Sequence, residues 1–103
     1  MQINFVISLI FSLLFCPGFL LGQPDANFSS DITTDCDQAD VKFFDQSTGG
    51  PTSWSWDFGD GNTSVQQNPQ HIYLSPGSYT VTLTATNTGG SNTETKTNYI
   101  VVF

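Results

Sequence analysis

Arginine is absent from this sequence, and lysine occurs only at positions 42 and 96, against nine acidic residues. The formal net charge of −7 repels phosphate backbones and anionic lipid surfaces, which excludes nucleic acid as a partner. Catalytic groups are scarce. His71 is the single histidine, Glu94 the single glutamate, and Cys36 the one cysteine outside the apolar N-terminal run that holds Cys16. A nucleophilic triad needs a histidine beside a nucleophile and an orienting carboxylate. No such grouping is legible, so enzymatic activity is not expected. Helical patterning is missing as well. Beyond residue 22 no stretch spaces apolar residues by three and four.

One long apolar run is present. Phe5 to Phe15 is broken only by Ser8 and Ser12, and Pro17-Gly18 and Leu20-Leu21-Gly22 follow before polar Gln23-Pro24-Asp25. This is the layout of an export signal, helical in its apolar stretch. We expect residues 1–22 to be the leader, with cleavage after Gly22, 23–26 to be a short linker, and 27–103 to be the folded domain. An uncleaved anchor is the rival reading, but Pro17-Gly18 would interrupt the span and no basic cluster follows it. A secreted or cell-surface location follows, with no membrane attachment once the leader is gone. A domain of about 80 residues buries only about 60–65% of its unfolded surface, so its core must be compact and aromatic. Cys36 is then an unpaired thiol in an exported chain. Its expected place is a partly buried turn position, where free cysteine behaves as a small apolar group.

Alternation is the dominant pattern in the remainder. Tyr79-Thr80-Val81-Thr82-Leu83-Thr84-Ala85-Thr86 puts Tyr79, Val81, Leu83 and Ala85 on one face and four threonines on the other. Further strands are predicted over 28–33, 41–45, 53–58, 63–65, 71–73 and about 93–102. Phe28, Ser30 and Ile32 share one side of the first strand, Val41, Phe43, Ile100 and Val102 should point inward, and Phe44 outward. Thr48-Gly49-Gly50-Pro51, Asp60-Gly61, Asn68-Pro69, Ser75-Pro76-Gly77 and Thr88-Gly89-Gly90 punctuate these runs. Asp60-Gly61 suits a tight hairpin in which both residues tolerate positive φ. Short strands at this spacing predict an all-β sandwich or barrel. Ser75-Pro76-Gly77-Ser78-Tyr79 resembles the tyrosine corner of immunoglobulin-like sandwiches, which pins a Greek-key crossover. On that alignment Val81 stands where the second disulfide cysteine would be, Val41 or Phe43 where the first would be, and Trp56 at the buried tryptophan.

The run Trp56-Asp57-Phe58-Gly59-Asp60-Gly61 has a structural explanation. Trp56 and Phe58 fill a core, each stabilising it by about 2–3 kcal/mol. Gly59 and Gly61 permit φ values closed to other residues, and Asp57 and Asp60 accept turn N–H groups. The Asp57–Asp60 spacing does not fit an EF-hand loop, and no metal ligand set is assigned. Asp25, Asn27, Asp31, Asp35, Asp37 and Asp40 are a looser oxygen-rich group around the first strand, expected to be solvated turn carboxylates, with weak calcium binding as the rival reading. Trp54 is the candidate contact for a sugar, with Tyr73 and Tyr99 behind it. Alternation opposes that role, since Trp54 shares a face with Trp56 and Phe58. Asn27-Phe28-Ser29 and Asn62-Thr63-Ser64 are acceptor sequons for a eukaryotic secretory pathway.

Together, Trp54-Ser55-Trp56-Asp57-Phe58-Gly59-Asp60-Gly61-Asn62-Thr63-Ser64, Asn68-Pro69-Gln70-His71-Ile72-Tyr73, Pro76-Gly77-Ser78-Tyr79-Thr80-Val81-Thr82-Leu83 and Asn98-Tyr99-Ile100-Val101-Val102 resemble the polycystic-kidney-disease (PKD) domain. The resemblance covers about residues 27–102. It implies a seven-stranded immunoglobulin-like Greek-key β-sandwich outside cells, without enzymatic activity or cofactor. It also implies a role in protein interaction, adhesion or spacing. A carbohydrate-binding accessory domain is the alternative. The partner would be an extracellular protein or polysaccharide. The signature residues are Trp56, Asp57, Phe58, Gly59, Asp60, Gly61, His71, Tyr73, Gly77, Tyr79, Val81 and Leu83.

Overall fold

The computed structural model describes residues 22–103, and no helix occurs among them. The expected apolar leader lies outside the described residues. Eight strands follow in order: β1 (Phe28–Ser30), β2 (Thr34–Asp35), β3 (Ala39–Asp45), β4 (Ser53–Asp57), β5 (Thr63–Ser64), β6 (Gln70–Tyr73), β7 (Gly77–Asn87) and β8 (Gly90–Val102). They form a three-stranded sheet, β1-β3-β6, and a five-stranded sheet, β2-β8-β7-β4-β5. The chain crosses to the larger sheet for β2 and returns for β3, then changes sheet again between β3 and β4, between β5 and β6, and between β6 and β7. Of the sandwich or barrel that the alternation and turn spacing predict, this is the sandwich, with the Greek-key form that the tyrosine corner and the family resemblance imply.

The strand not foreseen is β2, two residues that pair in parallel with Val101 and Val102 of β8. Neither Thr34 nor Asp35 is buried, so no apolar alternation marks it. β8 also begins earlier than the sequence suggests, because Asn87 pairs directly with Gly90 across a two-residue turn. Its first half carries Asn92, Glu94 and Lys96 on the inward side, half-buried, and polar residues at inward positions hide a strand from a hydrophobicity pattern. Lys96 settles there with its ammonium 5.2 Å from the Phe28 ring centre.

Alternation sorts the side chains as expected. Ala39, Val41 and Phe43 of β3 are fully buried, as are Trp56, Val81, Leu83, Ala85 and Ile100, while Val102 is almost so. Phe44 points out and is 42% exposed. The positions aligned with the missing disulfide, Val41, Phe43 and Val81, are filled by ordinary apolar packing around Trp56, whose ring centre lies 5.1 Å from Phe28 and 5.4 Å from Phe43. Register shifts between Tyr79 and Val81, where β8 contributes extra residues. Asn98, at φ 50°, absorbs that bulge and donates its N–H to Thr80 Oγ1.

Two local expectations need correction. Cys36 is exposed, because it sits in a surface turn whose residues 33–38 are all exposed and which rests on main-chain bonds from Asp37 to Phe103 and from Gln38 to Cys36. Residues 23–26 are not a free linker. Pro24 and Ala26 are buried, Asp25 exchanges both main-chain bonds with Thr48, and the Ala26 N–H donates to Asn92 Oδ1 at 2.8 Å.

Candidate functional site

The signature residues converge on one end of the sandwich, around the loop joining β4 to β5. Asp57 and Thr63 close this hairpin, so the loop spans residues 58–62 and is longer than the two-residue turn that Asp60-Gly61 suggests. Gly59 (φ 84°) and Gly61 (φ 95°) adopt the left-handed region, whereas Asp60 does not. Gly59 is needed twice over: a Cβ there would lie 2.4 Å from the Thr80 carbonyl oxygen. Asp57 Oδ1 accepts the Gly59 N–H at 2.9 Å and Asp60 Oδ1 accepts the Asn62 N–H at 3.1 Å. Both aspartates therefore act as the turn acceptors their spacing predicts.

His71 reaches this loop from β6. Its Nε2 lies 2.6 Å from Asp60 Oδ2, and its ring stacks on Phe58 at 4.3 Å between centres. Burial works to raise the Asp60 carboxyl. The bond to His71, the bonds from Asn62 and the attraction of His71 outweigh it and hold the group below its ordinary range. Tyr73 is fully buried and donates its hydroxyl to the Phe58 carbonyl at 2.8 Å. Burial, with the nearby Asp60, Tyr79 and Asp57 charges, pushes that hydroxyl well above the usual tyrosine range. Tyr79 donates to the Ser75 carbonyl at 2.6 Å, which is the tyrosine corner. Gly77 opens β7 against the Tyr79 ring.

Trp54 sits apart from this group. Its ring is partly buried against the core, and its Nε1 donates to Asp45 Oδ2 at 2.9 Å. Trp54 belongs to the five-stranded sheet and Asp45 to the three-stranded one, so this bond ties the two layers. Burial raises the Asp45 carboxyl, but bonds from Ser47, Gln67 and Trp54 together lower it below its ordinary range. Tyr73, offered beside Trp54 as a sugar contact, is enclosed and cannot serve. Tyr99 is half-buried, its hydroxyl 3.2 Å from Ser30 Oγ and its ring edge-on to Phe28.

The aspartates around the first strand do not gather. Asp31 accepts the Lys42 N–H, Asp35 the Cys36 N–H and Asp40 the Gln70 amide. Among the described residues no three His, Cys, Asp or Glu side chains meet in a group able to hold a metal.

Sequence reasoning missed the polar stitching at the other end. Asn87 is buried, donates to the Gly22 and Gly49 carbonyls at 3.2 and 2.8 Å, and accepts the Gly89 N–H at 2.7 Å. A signal for it existed. Asn87 extends the inward row of Tyr79, Val81, Leu83 and Ala85, and a polar residue there must be hydrogen-bonded.

Two packed sheets, antiparallel apart from the short β2–β8 pairing, with a tyrosine corner and a buried central tryptophan define an immunoglobulin-like sandwich domain. The PKD-domain family matches residues 22–102, and the chain belongs to that family. A 49-residue stretch is 43% identical to collagenase ColA of Bacillus cereus, covering 48% of this chain and 5% of the collagenase. The chain thus corresponds to a small fraction of that relative's length. The crystal structure of the PKD1 domain of Vibrio anguillarum Epp is similar at 36% identity and TM-score 0.65, over 78% of this chain and 95% of that one. A structure described as a carbohydrate-binding module of the β-sandwich superfamily is similar at 28% identity and TM-score 0.71, over 80% of this chain and 35% of that one.

Proposed function

We propose that this PKD domain is a non-catalytic module that works outside the cell, presenting its loops and strand edges for protein interaction, adhesion or spacing. One observation carries the reading: the chemistry-bearing side chains of the signature are engaged in holding the fold. Asp57 and Asp60 close a turn, His71 binds Asp60, and Tyr73 and Tyr79 bind carbonyls. Among the described residues the one histidine, His71, is bonded to Asp60 rather than to a nucleophile. The net charge of −7 suits a soluble exported domain, and the apolar run before Gln23 suits an export signal. The purified protein should show no turnover of gelatin, casein or a polysaccharide panel. Turnover that His71→Ala abolishes without unfolding the domain would refute the proposal.

Carbohydrate binding through Trp54 is the second reading, favoured by the likeness to the carbohydrate-binding module structure. A partly buried indole offers one open edge for stacking on a sugar. If this reading holds, the protein is retained on an insoluble polysaccharide, Trp54→Ala is not, and Trp54→Phe is retained in part. Equal retention of all three variants, or of none, removes it.

A further inference from the structure

The two sheets have four edges, and they are not alike. β2 and β5 have two residues each, and β1 has three, including the serines Ser29 and Ser30. β6 has four residues and no lysine or proline within it, the usual devices that blunt an edge. Its main chain is available. The Phe43 N–H donates to the Pro69 carbonyl at 2.9 Å, and β3 pairs with β6 in the same register onward through His71 and Tyr73. Antiparallel strands direct alternate residues at the partner, so the N–H and C=O groups of Gln70 and Ile72 face away from β3.

A cleft of about 350 Å³ lies at the C-terminal end of this edge, lined by Asp60, Asn62, Ile72, Leu74, Ser75 and Tyr79. Asp60 approaches β6 from the core side, through His71, whereas Ile72 points to the outer face of the sheet. The cleft touches both at the C-terminal end of the strand, where Leu74, Ser75 and Tyr79 complete its lining. Ile72 is 45% exposed and Leu74 is 74% exposed. Asp60 is the charged side chain in the lining, in a chain with nine acidic residues and two lysines.

We infer that the β6 edge is the docking site of this module, and that its occupant is an extended peptide segment alternating apolar and basic side chains. The inference rests on the docking role proposed above. The added strand would bond to the main chain of Gln70 and Ile72. Because successive side chains of a strand point to opposite faces, its apolar residues would rest on Ile72 and Leu74. Its intervening Lys or Arg would reach the Asp60 carboxylate in a charge-assisted bond.

The test is selection from a random library of linear peptides displayed on phage, using the purified protein as bait, followed by amide-shift mapping with the selected peptide. The expected peptides alternate apolar with Lys or Arg, and they shift the Gln70 and Ile72 amides. Leu74→Lys, on an exposed side chain, should weaken the selected peptide by about tenfold through like-charge contact. Leu74→Glu should weaken it less, and both variants should melt with the parent. A footprint on β1, β2 or β5 would overturn the assignment while leaving a docking role in place. Failure to enrich any peptide, selection of acidic peptides, or self-association through β6 would also overturn it. Substrate turnover would instead defeat the non-catalytic reading on which the assignment rests.

Discussion

The two ends of this sandwich are held by different kinds of bond. At the end formed by the 58–62 loop and the Ser75–Tyr79 corner, the defining hydrogen bonds join residues two to four positions apart: Asp57 with Gly59, Asp60 with Asn62, Tyr79 with Ser75. At the opposite end, Asn87 reaches Gly22 and Gly49 across 65 and 38 residues, and Asn92 reaches Ala26 across 66. The first end is a set of local turns, with His71 fastening one of them to β6. The second is a clasp that draws the start of the domain, the β3–β4 connection and the β7–β8 hairpin together. Local bonds leave a signature that can be read along the chain. Long-range ones do not, although they close far more chain entropy.

Four experiments press on that contrast. Both ends depend on the core between them, so Trp56→Ala should have the largest effect. The indole is fully buried, and its N–H binds the Gln66 carbonyl at 2.8 Å. Its loss should cost about 3–5 kcal/mol by chemical denaturation, enough to unfold a small domain. An unchanged melting transition would contradict the assigned core.

The second experiment separates strain from collision within the signature loop. Gly61→Ala meets open space but must hold φ 95°, whereas Gly59→Ala meets the Thr80 carbonyl oxygen as well. The first should cost about 1–3 kcal/mol, and the second clearly more in the same denaturation assay. Equal losses would mean that the approach of the loop to β7 is not tight.

The third compares the ends directly. Asn87→Ala removes the three hydrogen bonds of a buried side chain, and should cost about 2–3 kcal/mol. Asp57→Ala removes one exposed turn bond and should cost about 1 kcal/mol or less. Hydrogen exchange should then show the Asp25 and Thr48 amides losing protection in Asn87→Ala but not in Asp57→Ala. Reversal of that order would refute the clasp.

The smallest effect is expected from acid. Asp60 and Asp45 both titrate below the ordinary aspartate value of 3.8 in the folded state. Their stabilisation is complete above that value and is lost as pH falls through their lower, folded pKa values. Denaturation midpoints should therefore be flat from neutral pH to about pH 5 and decline below about pH 4. Asp60→Asn should shallow the decline by removing one of the two contributors. An undiminished slope would place the acid sensitivity elsewhere.

The same contrast bears on function. The signature end is where the sequence is most recognisable, and its polar residues turn out to be structural. Surface features left unengaged include the β6 edge, Ile72, Leu74 and the cleft beside Asp60. The motif that contains β6 marks His71 and Tyr73 as signature residues, not Ile72, and Leu74 lies outside it. Ile72 was legible only as a strand residue, and Leu74 only as the residue that follows it. Whether they matter depends on β6 being the outermost strand of its sheet, and no local pattern encodes that. Trp54 is the converse case. Alternation correctly placed it towards the core, but its partner Asp45 lies in the other sheet and was not foreseen.

Period-two alternation, turn residues and the Trp56-to-Gly61 run were enough to specify an all-β sandwich, its inward residues and its tyrosine corner. These depend on interactions within a few residues of chain or on the parity of a strand. The β2–β8 pairing, the polar inward side of β8, the exposure of Cys36, the clasp at Asn87 and the open edge of β6 depend on which strands lie side by side. Neighbourhood between distant segments is set by how two sheets of unequal width cover one core, and that is decided only when the whole chain packs.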